Sequence, residues 1–379
     1  MMMWKTEEGS TGRLLQLCIG YFVFYVITGV SVKYFLGSSK LGFPGMLDMQ
    51  YLVYSTIGGS VFALSVVLSL KWYKFQSENM TTFLGINMPL EFLYIIPSGI
   101  CTAIVIPTTT LMYSLPISVM VAMVIMRGSV IIISRLVDAI QIKKGILKKQ
   151  VYKEENYAVA FALMAVAINI FWSKDGGFDF IYNTAAVIIL GSYVTAYFIR
   201  IYIMNYYKNT RGKKVKQNNK GFFTIEQIAA SGTMLIAGII LYFSPQLFNW
   251  NTKLVVDYIS AFNTENASWG WAILAGTAFG AVAFFSVFIF MFKGRTATFA
   301  GLVNRLTSLI AGTAATLIFY FAFGGKFPST EDWISLLFIM ISVAFITKAE
   351  KKRTAELKAR NELGNNTDPI KEPSINVQK

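Results

Sequence analysis

The sequence predicts an all-α integral membrane protein: ten transmembrane helices arranged as two inverted five-helix repeats, with both termini cytoplasmic. Three observations carry that expectation. The 379 residues are 55% apolar and only 14% charged, with mean hydropathy +0.53, where a soluble domain carries about 25% charged residues. The apolar runs are about 20 residues long, enough to cross ~30 Å of hydrocarbon at ~1.5 Å per helical residue. The chain also repeats itself at an offset of 178 (305 − 127): Met112–Ala139 runs against Phe290–Leu317, and Glu155–Trp172 against Trp333–Glu350.

Ten spans are expected, at 13–36, 49–70, 91–111, 115–138, 155–172, 184–206, 224–243, 269–292, 296–321 and 333–348. Residues 1–12 form an N-terminal segment, 13–172 the first repeat, 173–183 an outer connector, 184–350 the second repeat and 351–379 a polar cytoplasmic tail. Five spans per repeat is an odd number, which turns the second repeat upside down relative to the first. Secondary transporters commonly use such repeats, with the site near mid-membrane between the halves. The first two spans of each half repeat most weakly. Span one is too long for a signal segment and lacks a small-residue cleavage site, so it stays as a helix. Lys208–Lys220 reads as a flexible basic connector, and the end of the chain as a helical extension that becomes disordered.

The charge distribution sets the orientation. The formal charge of +14 is concentrated in one set of loops, including Lys71, Lys74, Lys143, Lys144, Lys148, Lys149, Lys153, Lys208–Lys220, Lys293, Arg295 and the tail. The opposite loops hold Lys40, Lys174, Lys253 and Lys326. This is the positive-inside pattern of a multi-span protein, and it argues against a nucleic-acid partner. Trp172, Trp250, Trp269, Trp271 and Trp333 map to the outer interface, and Trp72 and Tyr73 to the inner one. The cell (inner) membrane is favoured; the weak sequon Asn266-Ala267-Ser268 keeps an endomembrane open.

Several chemistries are excluded by composition. The chain has no His and two Cys, Cys18 and Cys101, both inside expected spans. Imidazole catalysis, His metal sites and a disulfide framework are therefore not expected. No cofactor, no metal and no enzymatic activity are expected. The Gly276/Gly280 pair has a small-xxx-small spacing for close helix packing, within a monomer or across a homodimer.

Arg127 and Arg305 are the residues most costly to explain. Each lies 10 or 11 residues inside an apolar span, near the midplane, and a guanidinium cannot shed its charge. Lys33, Arg135 and Arg200 sit nearer span ends and are expected to snorkel, with Asp138 pairing to Arg135 three residues away. Four readings of the two arginines stand: substrate phosphate or carboxylate binding, structural ion pairs, lipid headgroup binding, and bonds to carbonyls of kinked helices. The acids Glu91, Glu226 and Asp138 fall near span ends, too far to neutralise both, which favours an anionic ligand. Ser129, Asn304 and Thr307 are polar companions, Gly128 and Gly301 permit close approach, and Tyr193 and Tyr197 face either a cavity or lipid. Glu91 and Glu226 are candidates for coupling, and Pro107 with Thr108 for a kinked gate.

The ten-span, five-plus-five pattern resembles the drug/metabolite transporter superfamily, which includes EamA-type exporters, triose-phosphate transporters and nucleotide-sugar transporters. Met126-Arg127-Gly128-Ser129-Val130 is similar to a leucine-arginine-glycine-serine string in the fourth span of solute-carrier-35-like members. Gly301-Leu302-Val303-Asn304-Arg305-Leu306 resembles the GALNK motif of the ninth span in nucleotide-sugar transporters, with Arg305 where that motif has lysine. The resemblance implies substrate contact for Asn304 and Arg305. The FYNN motif of GDP-sugar transporters has no counterpart; the nearest stretch is Thr224-Ile225-Glu226-Gln227. The expected function is alternating-access transport of a small organic anion, such as a phosphorylated metabolite or nucleotide sugar, with exchange against a second anion. The alternatives are an EamA-like proton-coupled exporter of amino acids or amphipathic metabolites, and a lipid-handling membrane protein without solute flux.

Overall fold

The computed structural model describes residues 9–74, 77, 80–83, 85–114, 119–149, 151–172, 182–210, 217–264, 266–325 and 327–359. Among these, the helices are α1 (Thr11–Phe35), α2 (Asp48–Ser69), α3 (Phe92–Ser114), α4 (Val119–Lys143), α5 (Lys153–Phe171), α6 (Thr184–Thr210), α7 (Asn219–Phe248), α8 (Lys253–Asn263), α9 (Trp269–Phe290), α10 (Ala297–Phe323) and α11 (Thr330–Ala359). Eight of them, α1, α2, α3, α6, α7, α9, α10 and α11, are long and apolar enough to cross a membrane. Most of the connector at 173–183 and the tail from 360 onward lie outside the described residues.

The helix faces explain why. On α1, Leu15, Ile19, Val23 and Ile27 recur every four residues and are all exposed; α7 exposes Leu235, Ile236, Ile239, Ile240 and Phe243. Contiguous apolar faces of this size are unfavourable in water and suit hydrocarbon. Trp172, Trp250, Trp269, Trp271 and Trp333 are exposed as expected, near helix ends. Trp72 differs: it packs among Phe223, Phe284 and Phe288 beneath Lys220 instead of facing outward.

Several element boundaries move. Helix α6 runs to Thr210 and α7 begins at Asn219, so the basic connector is much shorter than Lys208–Lys220. Helix α11 continues to Ala359, and Arg353 and Leu357 beyond residue 350 are buried, so the polar extension is docked rather than solvated. Two elements were not anticipated. Strands β1 (Met80–Phe83) and β2 (Ile86–Pro89) pair antiparallel between α2 and α3, turning at Gly85 with φ 79°. The short helix α8 lies between α7 and α9 and packs on α2 and α7.

Glycine positions set the tightest contacts. A Cβ on Gly276 would lie 2.3 Å from the Ser55 carbonyl oxygen, and one on Gly280 2.5 Å from that of Gly59. The small-xxx-small pair of α9 therefore meets the Gly58-Gly59 step of α2 within the monomer. Helix α3 approaches α7 in the same way, with Gly99 against the Glu226 carbonyl.

The packing has a regular plan. The extensive contacts are α2 with α9, α5 with α11, α3 with α6 and α7, α1 with α9 and α10, α4 with α5, α6 and α10, and α10 with α11. Exchanging α1 with α6, α2 with α7, α3 with α9, α4 with α10 and α5 with α11 maps each of these pairs onto another of them or onto itself.

Candidate functional site

Among the described residues five arginines are buried, at 127, 200, 295, 305 and 353, and they differ in what holds them. Three are held by carboxylates. Arg200 on α6 grips Glu226 on α7 through both Nε (2.8 Å) and Nη2 (3.2 Å), and Ser98 and Thr102 of α3 donate to the same carboxylate at 2.8 and 3.2 Å. Arg295 binds Glu350 of α11 through Nε (3.1 Å) and Nη2. Arg353 binds Glu155 at 3.4 Å and Glu356 at 2.9 Å. Bidentate, hydrogen-bonded pairs of this kind are what allow a charge to be buried. The snorkelling expected of Arg200 is thus overturned: α6 and α7 both pack on α3, and the Arg200–Glu226 pair is buried there beside Ser98 and Thr102.

Arg127 and Arg305 each rest on a tyrosine. The Arg305 guanidinium lies 5.0 Å from the Tyr197 ring centroid, and that of Arg127 lies 5.6 Å from the Tyr25 centroid while its Nη2 donates to Tyr25 Oη at 3.2 Å. Both arginines are only 6% exposed, yet Arg305 Nε and Nη2 have no hydrogen-bond partner. For Arg305, cation–π contact offsets part of the guanidinium's desolvation but leaves Nε and Nη2 without a hydrogen-bond acceptor.

The tyrosines come in two matched pairs. Tyr21 and Tyr25 on α1 pack with centroids 5.5 Å apart, and Tyr193 and Tyr197 on α6 at 4.7 Å. Each pair is spaced i, i+4, which puts both rings on one helix face. They are 172 residues apart (193 − 21 and 197 − 25). The sequence raised Tyr193 and Tyr197 and passed over Tyr21 and Tyr25; that offset, slightly different from 178, was the signal available.

The remaining expected site residues are mostly spoken for. Asn304 is fully buried, donates to Ser286 Oγ at 3.0 Å and accepts from Tyr21 Oη at 3.4 Å, so it fixes Tyr21 rather than facing open space. Ser129 Oγ donates back to the Ile125 carbonyl (2.8 Å) and Thr307 to that of Val303 (2.7 Å), a local bond that satisfies a hydroxyl within its own helix. Thr108 does the same to Ile104 (2.7 Å), one residue after Pro107 in an α3 that runs unbroken through both of its prolines. Gly128 faces Val166 of α5, and Gly301 faces Ser134 of α4, so both serve helix packing. Glu91 is buried just ahead of α3 and accepts from Ser77 Oγ at 2.5 Å.

Asp138 has a role the sequence did not suggest. Its carboxylate accepts from the backbone N–H groups of Ala297 (2.9 Å) and Thr298 (2.6 Å) at the start of α10, and from Asn205 Nδ2 at 3.1 Å. It caps another helix, where unpaired amides and the positive dipole end favour a carboxylate, instead of pairing with Arg135. Glu155 accepts from Thr296 Oγ1 at 2.7 Å beside it. At the edge of this region burial and the hydrogen bond to Glu356 push the Tyr152 phenol up to about 12.

No protein-family model and no curated protein matches the chain. A solved structure described as "Crystal structure of protein" is similar, with a TM-score of 0.53 and 13% identity over 90% of this chain and 99% of that one. At that identity the likeness concerns the fold alone. Fold and site together define a multi-helix membrane protein with two buried arginines, each set against a tyrosine.

Proposed function

We propose that the protein is a secondary transporter that moves a small organic anion across the membrane by alternating access. Its plan is ten spans in two inverted repeats, α1–α5 and α6, α7, α9, α10 and α11, with both termini cytoplasmic. The exchange of helix neighbours described above supports the repeats, and the basic loops support the orientation. The resemblance of the Arg127 and Arg305 segments to the drug/metabolite transporter superfamily points the same way.

The observation that carries the reading is Arg305: buried, positively charged, and with Nε and Nη2 unsatisfied. A cation in that position costs several kcal/mol at bilayer depth, a cost that a carboxylate or phosphate ligand would offset through bidentate bonds. An empty site leaves that cost in place, which favours exchange of one anion for another. Proton coupling through Glu226 fits less well, because Arg200, Ser98 and Thr102 already hold that carboxylate.

The test is uptake of phosphorylated metabolites and nucleotide sugars into proteoliposomes. Arg127→Ala and Arg305→Ala are each expected to lower counterflow by at least about tenfold, the loss of one charge-assisted contact of ~1.5–3 kcal/mol. Normal transport by both variants would overturn the proposal.

A further inference from the structure

We infer that Asp138 is the inner latch of the alternating-access cycle. Its carboxylate ties α4 of one repeat to α6 and the start of α10 in the other, and its release opens the end of the molecule that carries the basic loops. This rests on the transporter reading and adds the contact that must break in each turnover.

The hydrogen bonds to the Asp138 carboxylate come from the other repeat. It is fully buried and accepts from the N–H groups of Ala297 (2.9 Å) and Thr298 (2.6 Å) on α10, and from Asn205 Nδ2 (3.1 Å) on α6. Asn205 Nδ2 also donates to Gln141 Oε1 at 2.9 Å, and Gln141 Nε2 donates to the Tyr202 carbonyl at 3.0 Å, so α4 is tied to α6 at a second residue. The ion pairs Arg200–Glu226 and Arg295–Glu350 differ: each joins helices of the same repeat and stays intact as the repeats rock. Amide donors suit a contact that opens and recloses. They are neutral, so none is left as an uncompensated charge when the carboxylate leaves, and water can take up N–H groups freed at a helix start.

The repeat supplies an outer counterpart. The offset of 178 carries Asp138 to Thr316 (138 + 178), and the offset of 172 between α1 and α6 carries Asn205 back to Lys33 (205 − 172). These two are also bonded, Lys33 Nζ donating to Thr316 Oγ1 at 2.7 Å. The contact between α4 and α10 maps onto itself end for end, so the two bonds occupy equivalent places at opposite ends of one seam. The inner one gathers three donors on a buried carboxylate. The outer one sets a half-buried lysine on a hydroxyl that itself donates to the Gly312 carbonyl at 3.0 Å. The structure is therefore held more firmly at its inner end.

Behind Asp138 the seam is thin. One turn deeper, Ser134 is fully buried against Gly301, where a Cβ would lie 2.2 Å from Ser134 Oγ. Ala297 and Ala300 beside Gly301 are buried as well. Small side chains let two backbones close tightly while burying little apolar area, so little is lost when they part. Ser134 Oγ donates to the Val130 carbonyl of its own helix at 2.8 Å, away from the seam. Arg305 follows Gly301 by four residues, about 6 Å along α10, so parting of this seam leads toward it.

The experiment measures thiol labelling of the purified full chain in detergent, with Cys18 and Cys101 replaced by Ser. Ser134→Cys reports on the inner seam. Val26→Cys, buried in a cluster with Ala311 and Ala315 in the outer half of α10, reports on general loosening. The latch is weakened by Asp138→Asn, which keeps the shape, and separately by Asn205→Ala, which removes only the arm to α6. Labelling of Ser134→Cys is expected to rise at least about tenfold with Asp138→Asn, the population shift from one lost charge-assisted contact, and by a smaller factor with Asn205→Ala. Labelling of Val26→Cys should stay within about twofold in both. Unchanged labelling of Ser134→Cys, with wild-type uptake into proteoliposomes intact, would overturn the latch and leave transport standing. Faster labelling at both positions would make Asp138 a structural residue and overturn the latch too. A wild type that takes up no anion would overturn the transport reading, and with it the cycle in which the latch acts.

Discussion

At the scale of single residues, what distinguishes Arg127 and Arg305 is their company. Burial alone does not single them out, since Arg200, Arg295 and Arg353 are buried as deeply. A buried charge with a carboxylate partner is structural, and removing the partner strands it. Glu226→Ala is expected to destabilise the protein by about 3–5 kcal/mol, because Arg200 is left uncompensated. Arg305→Met should have the opposite sign: the side chain it removes has unsatisfied donors, so unfolding in detergent should show equal or greater stability while anion transport is lost. A large loss of stability in Arg305→Met would mean that Arg305 has a structural partner. Sequence reasoning found both central arginines, because a charge inside an apolar run is a local signal. It misjudged Arg200 and Asp138, because a residue near a span end can snorkel, pair locally, or bury itself against a distant helix, and local spacing does not choose among these.

At the scale of elements, backbone proximity at glycines determines how closely the helices pack. Gly276 on α9 meets backbone, not a movable side chain, so an added methyl has nowhere to go. Gly276→Ala should cost more than the ~1–3 kcal/mol usual for overpacking, whereas Gly191→Ala, with no neighbour within 4 Å, should gain up to ~1 kcal/mol from helix propensity. Melting of the two variants in detergent compares them directly; similar melting would show that α2 and α9 can part without cost. The small-xxx-small spacing was legible in the sequence, but its partner was not, because Gly58-Gly59 lies more than two hundred residues earlier. The β-hairpin and α8 were missed for a related reason. Each is short, and the apolar window that finds a span averages over it.

At the scale of the whole molecule, the proposed topology has a direct consequence. Lys144 and Lys352 should lie on one side of the membrane, and Trp250 and Phe327 on the other. With Cys18 and Cys101 replaced by Ser, single cysteines at these four positions should split into two pairs when an impermeant thiol reagent is added to intact cells. Only the Trp250 and Phe327 positions are expected to label; labelling of Lys144 or Lys352 would refute the orientation and with it the inverted plan.

The sequence by itself determined that the chain is helical and rich in apolar segments long enough to cross a membrane, and that Arg127 and Arg305 fall inside such segments. All of these follow from hydropathy, helix length and repeat offset, which are properties of neighbouring residues. Only the tertiary structure decided which arginines are neutralised. The carboxylates come from positions 26, 55 and 198 residues away in sequence, and the tyrosines beneath Arg127 and Arg305 from 102 and 108 residues away (127 − 25 and 305 − 197). Charge compensation in a low-dielectric interior acts over a few ångströms of space, so it is settled by which helices touch, and no local pattern in the chain records that.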